Sequence, residues 1–437
     1  MNQDSTRRQF LATSGALVGT AAALVSTRTA RAKGASEDII VGLIGCGGRG
    51  VHDAGRFQNT AGVKLAYVCD VDQQRRGRAV EQLKLSPSQA VDDLRKVLDD
   101  KTVDAVIVAT PDHWHSPASI LACNAGKHVY VEKPISHNVR EGRLLVEASE
   151  RNKTHVQHGT QCRSTPMMIE AVKQLREGVI GDVLVAKCWN VQRRGSIGRG
   201  QDVAPPAGFD YENWVGPAQM VPYRTNRVHD RWTWWYDFGT GDMGNDGVHD
   251  IDYTRWGLGV DVHPNKVWAA GGKLVWEDDQ EFPDTQQVTF EYVDPNGGKS
   301  KLLTYEQRLW STNYPHNTDS GAEFYGTRGQ MFLSRRGKIE VHNDANRRQD
   351  IGVQPGGQDD VLHVANFCNA IRGDGKLTAD ALTGHLSTSL CHLGNIATRL
   401  GRSLQFDPNS EKVTNDDEAN ALVRREYRSH WGTPQGV

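Results

Sequence analysis

Glu132, Lys133 and Pro134 follow directly on the apolar run 128–131, so a lysine stands between a carboxylate and a proline where a buried strand ends. A lysine there, partly withdrawn from water, can donate a proton to a substrate hydroxyl or accept one from it. Glu132 would position that lysine or cap the strand. Pro134 fixes its own backbone and would aim the lysine inward, a cis bond being one way to do so. A second group of residues lies nearer the N-terminus, in "DIIVGLIGCGGRG". An apolar strand from Ile39 to Ile44 runs into Gly45, Cys46, Gly47, Gly48, Arg49 and Gly50, with the spacing G-x-G-x-x-G. Gly45 permits the tight turn, Gly47 lets the backbone approach a pyrophosphate, and Gly50 brings the next helix close to the strand. The N–H groups that open this helix then face the phosphates.

"VKLAYVCDVD" ends a second strand on Asp70, at the distance from the glycines where dinucleotide folds keep the carboxylate for the adenosine ribose. A carboxylate there repels a 2'-phosphate, so NAD is expected over NADP, although Arg75 and Arg76 follow closely and could take a phosphate. Strand and helix then alternate through "VDDLRKVLDD", "VDAVIVATP", "SPASILACNAGK", "HVYVEKP", "NVREGRLLVEASERN" and "THVQHG". Apolar strands separated by helices imply a parallel sheet covered on both faces. Ligands of such sheets bind beyond the carboxyl ends of the strands, where Thr110, Pro111, Glu132 and Lys133 fall.

"GLIGCGGRG", "VCDVD", "VATPDHWH", "AGKHVYVEKP" and "GDMGNDGVHDIDYTRW", in that order, resemble the Gfo/Idh/MocA family of glucose-fructose oxidoreductase and inositol dehydrogenase. The resemblance spans nearly the whole chain after residue 32, and the Glu-Lys-Pro motif is its most specific element. It implies a catalytic role for Lys133 and places Thr110, Pro111 and His115 along the cofactor. It also implies a helix bearing an aspartate and a histidine four residues apart, both facing Lys133. Here His249 is kept, but Asn245 stands where the family has aspartate. An amide cannot relay a proton as a carboxylate does, so acid–base work is assigned to Lys133 and His249, with Asn245 as a positioner. Asp246 lies about 100° further round a helix and is a candidate substrate contact.

The resemblance further implies a second domain with a large, mostly antiparallel sheet that carries substrate or an oligomer interface. The sequence agrees independently: "VLVAKCWNV", "NKVWAAGGKLVW", "QQVTFEYV", "KSKLLTYEQRLW" and "GQMFLSRRGKIEVH" are strand-like and separated by turn residues. Two helical runs follow, "DDVLHVANFCNAIRG" and "DALTGHLSTSLCHLGNIATRLG". The expected fold is therefore α/β, an N-terminal Rossmann parallel sheet joined to a C-terminal α+β domain. Gln161 and Arg163, in "HGTQCRS", are candidates to reach over the nicotinamide or the substrate. Trp234, Trp235 and Tyr236 offer flat faces for a sugar ring, and packing in the core is the competing role.

The 437 residues, 38% hydrophobic and 24% charged, suit a globular chain of two domains. The expected division is residues 1–32 as an export signal, 37–160 as the NAD-binding domain, and 161–437 for substrate and self-association. Arg7 and Arg8, a weakly apolar stretch and Ala30-Arg31-Ala32 form a twin-arginine signal in sequence, directing the protein out of the cytoplasm, to a periplasm. Beyond residue 32, 47 basic and 52 acidic side chains give a mild acidity that argues against nucleic acid or an anionic membrane as partner. No cysteine or histidine spacing indicates a metal, and none is expected.

These residues indicate an NAD-dependent oxidoreductase acting on a secondary hydroxyl of a sugar, sugar derivative or cyclitol, and a homo-oligomer. One alternative is a glycoside hydrolase whose tightly held NAD oxidises a sugar carbon only transiently. Another is a binding protein that keeps the fold without the chemistry.

Overall fold

The computed structural model describes residues 37–294 and 296–437. The twin-arginine segment expected at 1–32 lies outside the described residues. Six strands form a parallel sheet: β1 (Ile39–Ile44), β2 (Val63–Cys69), β3 (Ala90–Val91), β4 (Ala105–Val108), β5 (His128–Val131) and β6 (Val156–His158). Their order is β3-β2-β1-β4-β5-β6, that of a dinucleotide-binding sheet. β4 and β5 are buried at every position because helices cover both faces of the sheet, which is why they read as unbroken apolar runs.

Ten strands form the second sheet, β7 (Val183–Asn190), β8 (Lys266–Gly272), β9 (Thr285–Tyr292), β10 (Lys301–Arg308), β11 (Ser320–Gly326), β12 (Gly329–Ser334), β13 (Lys338–Asn343), β14 (Arg348–Gln349), β15 (Leu404–Asp407) and β16 (Lys412–Val413). β7 and β10 are parallel and the other pairings antiparallel. Burial alternates along β9, where Gln286, Val288, Phe290 and Tyr292 are buried and their neighbours are not. The buried face packs against the helices Val248–Leu258 and Ala381–Leu400. Sequence patterning merges β12 and β13 into one run and omits β11, whose small residues Ser320, Gly321 and Ala322 carry little β signal. Gly321 is required by packing, since a Cβ there would lie 2.7 Å from the Trp189 ring.

The two sheets are tied together by buried polar contacts. The Glu411 carboxylate receives Arg143, from the helix Val139–Asn152, at 2.6 Å, His263 at 2.9 Å and His385 at 2.8 Å. These two imidazoles and the carboxylate bring ligand-type atoms within 4.8 Å of one another, a grouping the sequence spacing does not announce. Arg143 already balances the charge of Glu411, and none of the three residues lines the cofactor cavity described below.

Burial pushes His113, His158 and His392 down to about 3, and His115, His363 and His385 down to about 4. An unfolded chain protonates its histidines near pH 6.5, so this stability is present above that pH and is lost as pH falls toward 4. Asp112 and Asp250, raised by burial to about 7, act in the opposite direction. At pH 5 a histidine moved from about 6.5 to about 4 loses roughly 2 kcal/mol of stability. The urea midpoint should fall steeply between pH 6.5 and 5; a flat profile would contradict neutral burial of these rings.

Candidate active site

β1 delivers the glycine loop to the carboxyl edge of the parallel sheet. Gly45 has φ +97°, and a Cβ there would lie 2.5 Å from the Ala109 carbonyl oxygen. At Gly50 a Cβ would lie 2.0 Å from the Gly45 carbonyl oxygen, so the following helix can approach only without a side chain. That helix, Gly48–Gln58, begins after Gly47 with no side-chain cap and no acidic residue in its first turn. Its leading N–H groups and dipole are left for an anion. Gly45, Gly47, Gly48 and Arg49 line a cavity that continues past Thr110 and Pro111 to Glu132, Lys133 and Asn245. The Arg49 side chain is paired with Glu132 at 2.9 Å, Asp53 at 3.0 Å and Asp360 at 3.3 Å.

Asp70 closes β2 at the same cavity. Its carboxylate accepts the N–H groups of Cys46, at 2.7 Å, and Asp72, at 2.9 Å, which fixes it beside the glycine loop with lone pairs to spare. Burial raises its pKa in spite of these bonds. Arg75 reaches over the loop, with Nη1 2.8 Å from where a Gly47 Cβ would stand. Arg76 turns instead to the Asp70 carbonyl. An uncapped helix N-terminus, a loop that admits no side chains and a carboxylate at the end of β2 fit a dinucleotide: pyrophosphate on the loop, adenosine ribose on Asp70.

At the other end, Lys133 Nζ donates to Asn245 Oδ1 at 2.9 Å. The Lys133–Pro134 bond is cis. His115 is buried between the carbonyls of Thr110 and Pro134, 2.8 and 2.6 Å from its ring nitrogens. Asp112, which sequence reasoning passes over, also lines the cavity. It accepts the Thr240 hydroxyl at 2.6 Å, and burial raises its pKa to about 7.

The expected regular helix carrying Asn245 and His249 is not regular. Met243–Gly247 is a π-turn that leads into the helix Val248–Leu258. Asn245 lines the cavity, and His249 is buried off its wall. Burial, with Arg335 and Lys133 nearby, drives the His249 pKa well down, so the ring is neutral. Its Nδ1 is buried without a protein partner.

Six expected contacts turn out differently. Gln161 sits behind Glu132, donating to its carboxylate at 3.0 Å and to the Tyr130 hydroxyl at 3.1 Å, and so reaches the cavity only through Glu132. Arg163 is taken by the buried Asp252 carboxylate at 2.7 Å and lies over the Trp256 ring, because a buried cation needs a partner. Asp246 is paired with Arg194 and Arg335 rather than offered to a substrate. Burial pushes its pKa up, but the Arg335, Lys133 and Arg194 cations outweigh that and hold it well below the usual range. Trp234 and Trp235 are core residues of an aromatic cluster with Trp214 and Phe238, where Arg227 covers Trp235 at 4.3 Å. Tyr236 is covered by Arg399 at 4.0 Å. Large rings gain more from burial than from lining a wet groove. The tryptophans that do line the cavity are Trp114, Trp214, Trp232 and Trp431.

Comparison with known proteins agrees with this architecture. Residues 39–160 match the model of an oxidoreductase family with an NAD-binding Rossmann fold, and residues 186–433 match that family's C-terminal alpha/beta domain. A glycosyl hydrolase family 109 protein of Shewanella sp. (strain ANA-3) is 34% identical over 155 residues, 34% of each chain. An alpha-N-acetylgalactosaminidase of Shewanella oneidensis is 32% identical over the same length. The match thus spans about a third of the length of these curated relatives. Among solved structures, the WlbA dehydrogenase of Bordetella pertussis, in complex with NADH and UDP-GlcNAcA, superposes with a TM-score of 0.64 at 20% identity, covering 85% of this chain and 99% of that one. A levoglucosan dehydrogenase, in complex with NADH and levoglucosan, gives 0.63 at 19%, covering 84% and 99%. The N-terminal domain is an NAD-binding Rossmann domain.

Asp70→Ala leaves two N–H groups without their acceptor and removes the expected ribose partner. An unanswered buried donor costs about 1–3 kcal/mol. The variant should melt at a lower temperature and bind NAD at least about tenfold more weakly by calorimetric titration, given about 1.4 kcal/mol per tenfold. Unchanged NAD affinity would remove Asp70 from the site.

Proposed function

Because the chain belongs to the Gfo/Idh/MocA family of oxidoreductases, we propose that it is an NAD-dependent enzyme acting on a secondary hydroxyl of a sugar, sugar derivative or cyclitol. The observation that carries this reading is Lys133 at the carboxyl end of β5, its Nζ held by Asn245 Oδ1 at 2.9 Å on the wall of the cofactor cavity. When bound, nicotinamide supplies a hydride acceptor that can later return the hydride. The neutral amine of Lys133 takes the hydroxyl proton as the carbinol carbon is oxidised, becoming an ammonium group, and gives it back in the reverse direction. Asn245 holds the ammonium group without competing for its proton. His249 is a neutral imidazole near Lys133 but off the cavity wall, and burial beside two cations disfavours its protonation, so the proton transfer falls to Lys133. Glu132 fixes the Lys133 backbone, accepting its N–H at 3.2 Å.

The similarity to glycosyl hydrolase family 109 proteins over 155 residues supports a second reading, net glycoside hydrolysis. Lys133 would then also remove the proton next to an oxidised sugar carbon, the neighbouring glycosidic oxygen would leave, and water would add in its place before the hydride returns. We further read the protein as a homo-oligomer joined through the open face of the ten-stranded sheet, and as exported on the strength of Arg7, Arg8 and Ala30-Arg31-Ala32.

Lys133→Ala should lower kcat by about 100-fold or more, the usual contribution of a positioned acid or base, and leave NAD affinity unchanged. Turnover of free sugars and cyclitols is followed by NADH absorbance with added NAD, and aryl glycosides by released phenol with none added. NADH formation identifies the dehydrogenase, phenol release without added NAD the glycosidase. Equal rates for wild type and Lys133→Ala on a confirmed substrate would overturn the role of Lys133.

A further inference from the structure

Residues 425–437 return to the parallel-sheet domain and are fastened there. Arg425 pairs with Glu141 at 2.8 Å and donates to the His113 carbonyl at 3.0 Å. Tyr427 donates its hydroxyl proton to Glu141 at 2.7 Å. Arg428 donates to the carbonyls of Gly216, at 2.6 Å, and Glu212, at 2.7 Å. Further on, Arg140 closes on the Gly436 carbonyl at 2.8 Å. These bonds carry Trp431 onto the cofactor cavity. Its indole N–H donates to Asn213 Oδ1 at 3.1 Å, its ring lies 5.4 Å from Trp114, and the Arg95 guanidinium sits 4.5 Å from its centre. A Cβ on Gly432 would lie 2.4 Å from the Trp114 ring, so the segment passes flush against that indole.

Strand order locates this end of the cavity. Leu94, just after β3, and Lys133, just after β5, lie toward opposite edges of the sheet, with Asp70, after β2, between them. A dinucleotide with its ribose on Asp70 and its reacting ring beside Lys133 therefore directs its adenine toward Leu94, whose neighbour Arg95 lies on the Trp431 ring beside Trp114. We propose that Trp431, with Trp114, seats the adenine ring, so that the C-terminal segment is part of the cofactor site. A flat heteroaromatic base beside two indoles gains dispersion and stacking with little demand on hydrogen bonding. The aromatic slot thus recognises the adenosine half, while the glycine loop and Asp70 hold the pyrophosphate and ribose. The proposal rests on the dinucleotide reading of the cavity given above.

Full-length wild type, Trp431→Ala and Trp431→Phe are titrated with NADH and with reduced nicotinamide mononucleotide, which lacks the adenosine half. Binding is read by nucleotide fluorescence, and melting is checked for each variant. Trp431→Ala should weaken NADH binding about tenfold or more, as loss of a base-stacking ring does, and leave the mononucleotide unchanged. Trp431→Phe should keep most of the NADH affinity. NADH bound equally by Trp431→Ala and wild type would overturn the proposal, and so would an equal loss of NADH and the mononucleotide. Wild type that binds neither nucleotide would instead refute the dinucleotide reading itself.

Discussion

A buried carboxylate that must be paired organises this structure. Glu132 is 3% exposed, at the end of a strand covered on both sides, where a lone charge would be untenable. Burial alone would raise its pKa, but Arg49, at 2.9 Å, and Lys133 outweigh burial and keep it ionised. Arg49 belongs to the helix that opens on the glycine loop, so the pair fixes the phosphate-binding turn relative to Lys133. The same guanidinium reaches Asp53, which burial and Glu132 push upward, and Asp360 of the helix Asp360–Arg372. Gln161 donates to Glu132 and accepts from Gln358. One ion pair thereby connects the loop, the lysine and the second domain, and a shift in any of them would expose or strand a charge.

A second charged group supports the reacting end. Asp242 and Asp246 share Arg194, and Arg335 lies against both Asp246 and Asp250. Asn245 stands among these charges and is itself neutral. Its amide can donate toward Asp242 at 3.4 Å while its oxygen accepts Lys133. A carboxylate at 245 would add a third acid to Asp242 and Asp246, each already paired with an arginine, and like charges at such distances oppose one another. The amide keeps the hydrogen bond to Lys133 and avoids that repulsion. The π-turn at Met243–Gly247 is what brings Asn245, rather than His249, to the cavity wall.

The cavity is walled by segments far apart in sequence. The segment between β7 and β8 docks on the turn after β2: Gln73 donates to the Gly208 carbonyl at 2.9 Å, and His229 meets Asp72 at 2.9 Å. Trp431, carried by the C-terminal segment, adds a further wall. The six-stranded sheet therefore supplies most of the recognition chemistry, and later segments supply the remaining walls of the cavity.

Local patterns sufficed for whatever depends on local physics. The glycine spacing, Asp70, the unbroken apolar strands and Lys133 at a strand's carboxyl end are short-range signals, because backbone conformation and the alternation of strand and helix are set within a few residues. The alternating strands of the second domain were legible for the same reason, while β11 was not, since its small residues owe their place to the Trp189 ring. Side chains competing for burial or for a charge partner were decided only by tertiary structure. Arg163 could be assigned to Asp252, Asp246 to two arginines, and Trp234 and Trp235 to the core only once the distant partners had met. Trp431 shows the converse: an isolated tryptophan in the polar stretch "RSHWGTP" carries no periodic signal, yet the fold sets it beside Trp114 at the cofactor cavity. Sequence spacing fixes the chemistry a residue can perform, but which residues face the cavity depends on long-range packing and charge pairing, which no local window contains.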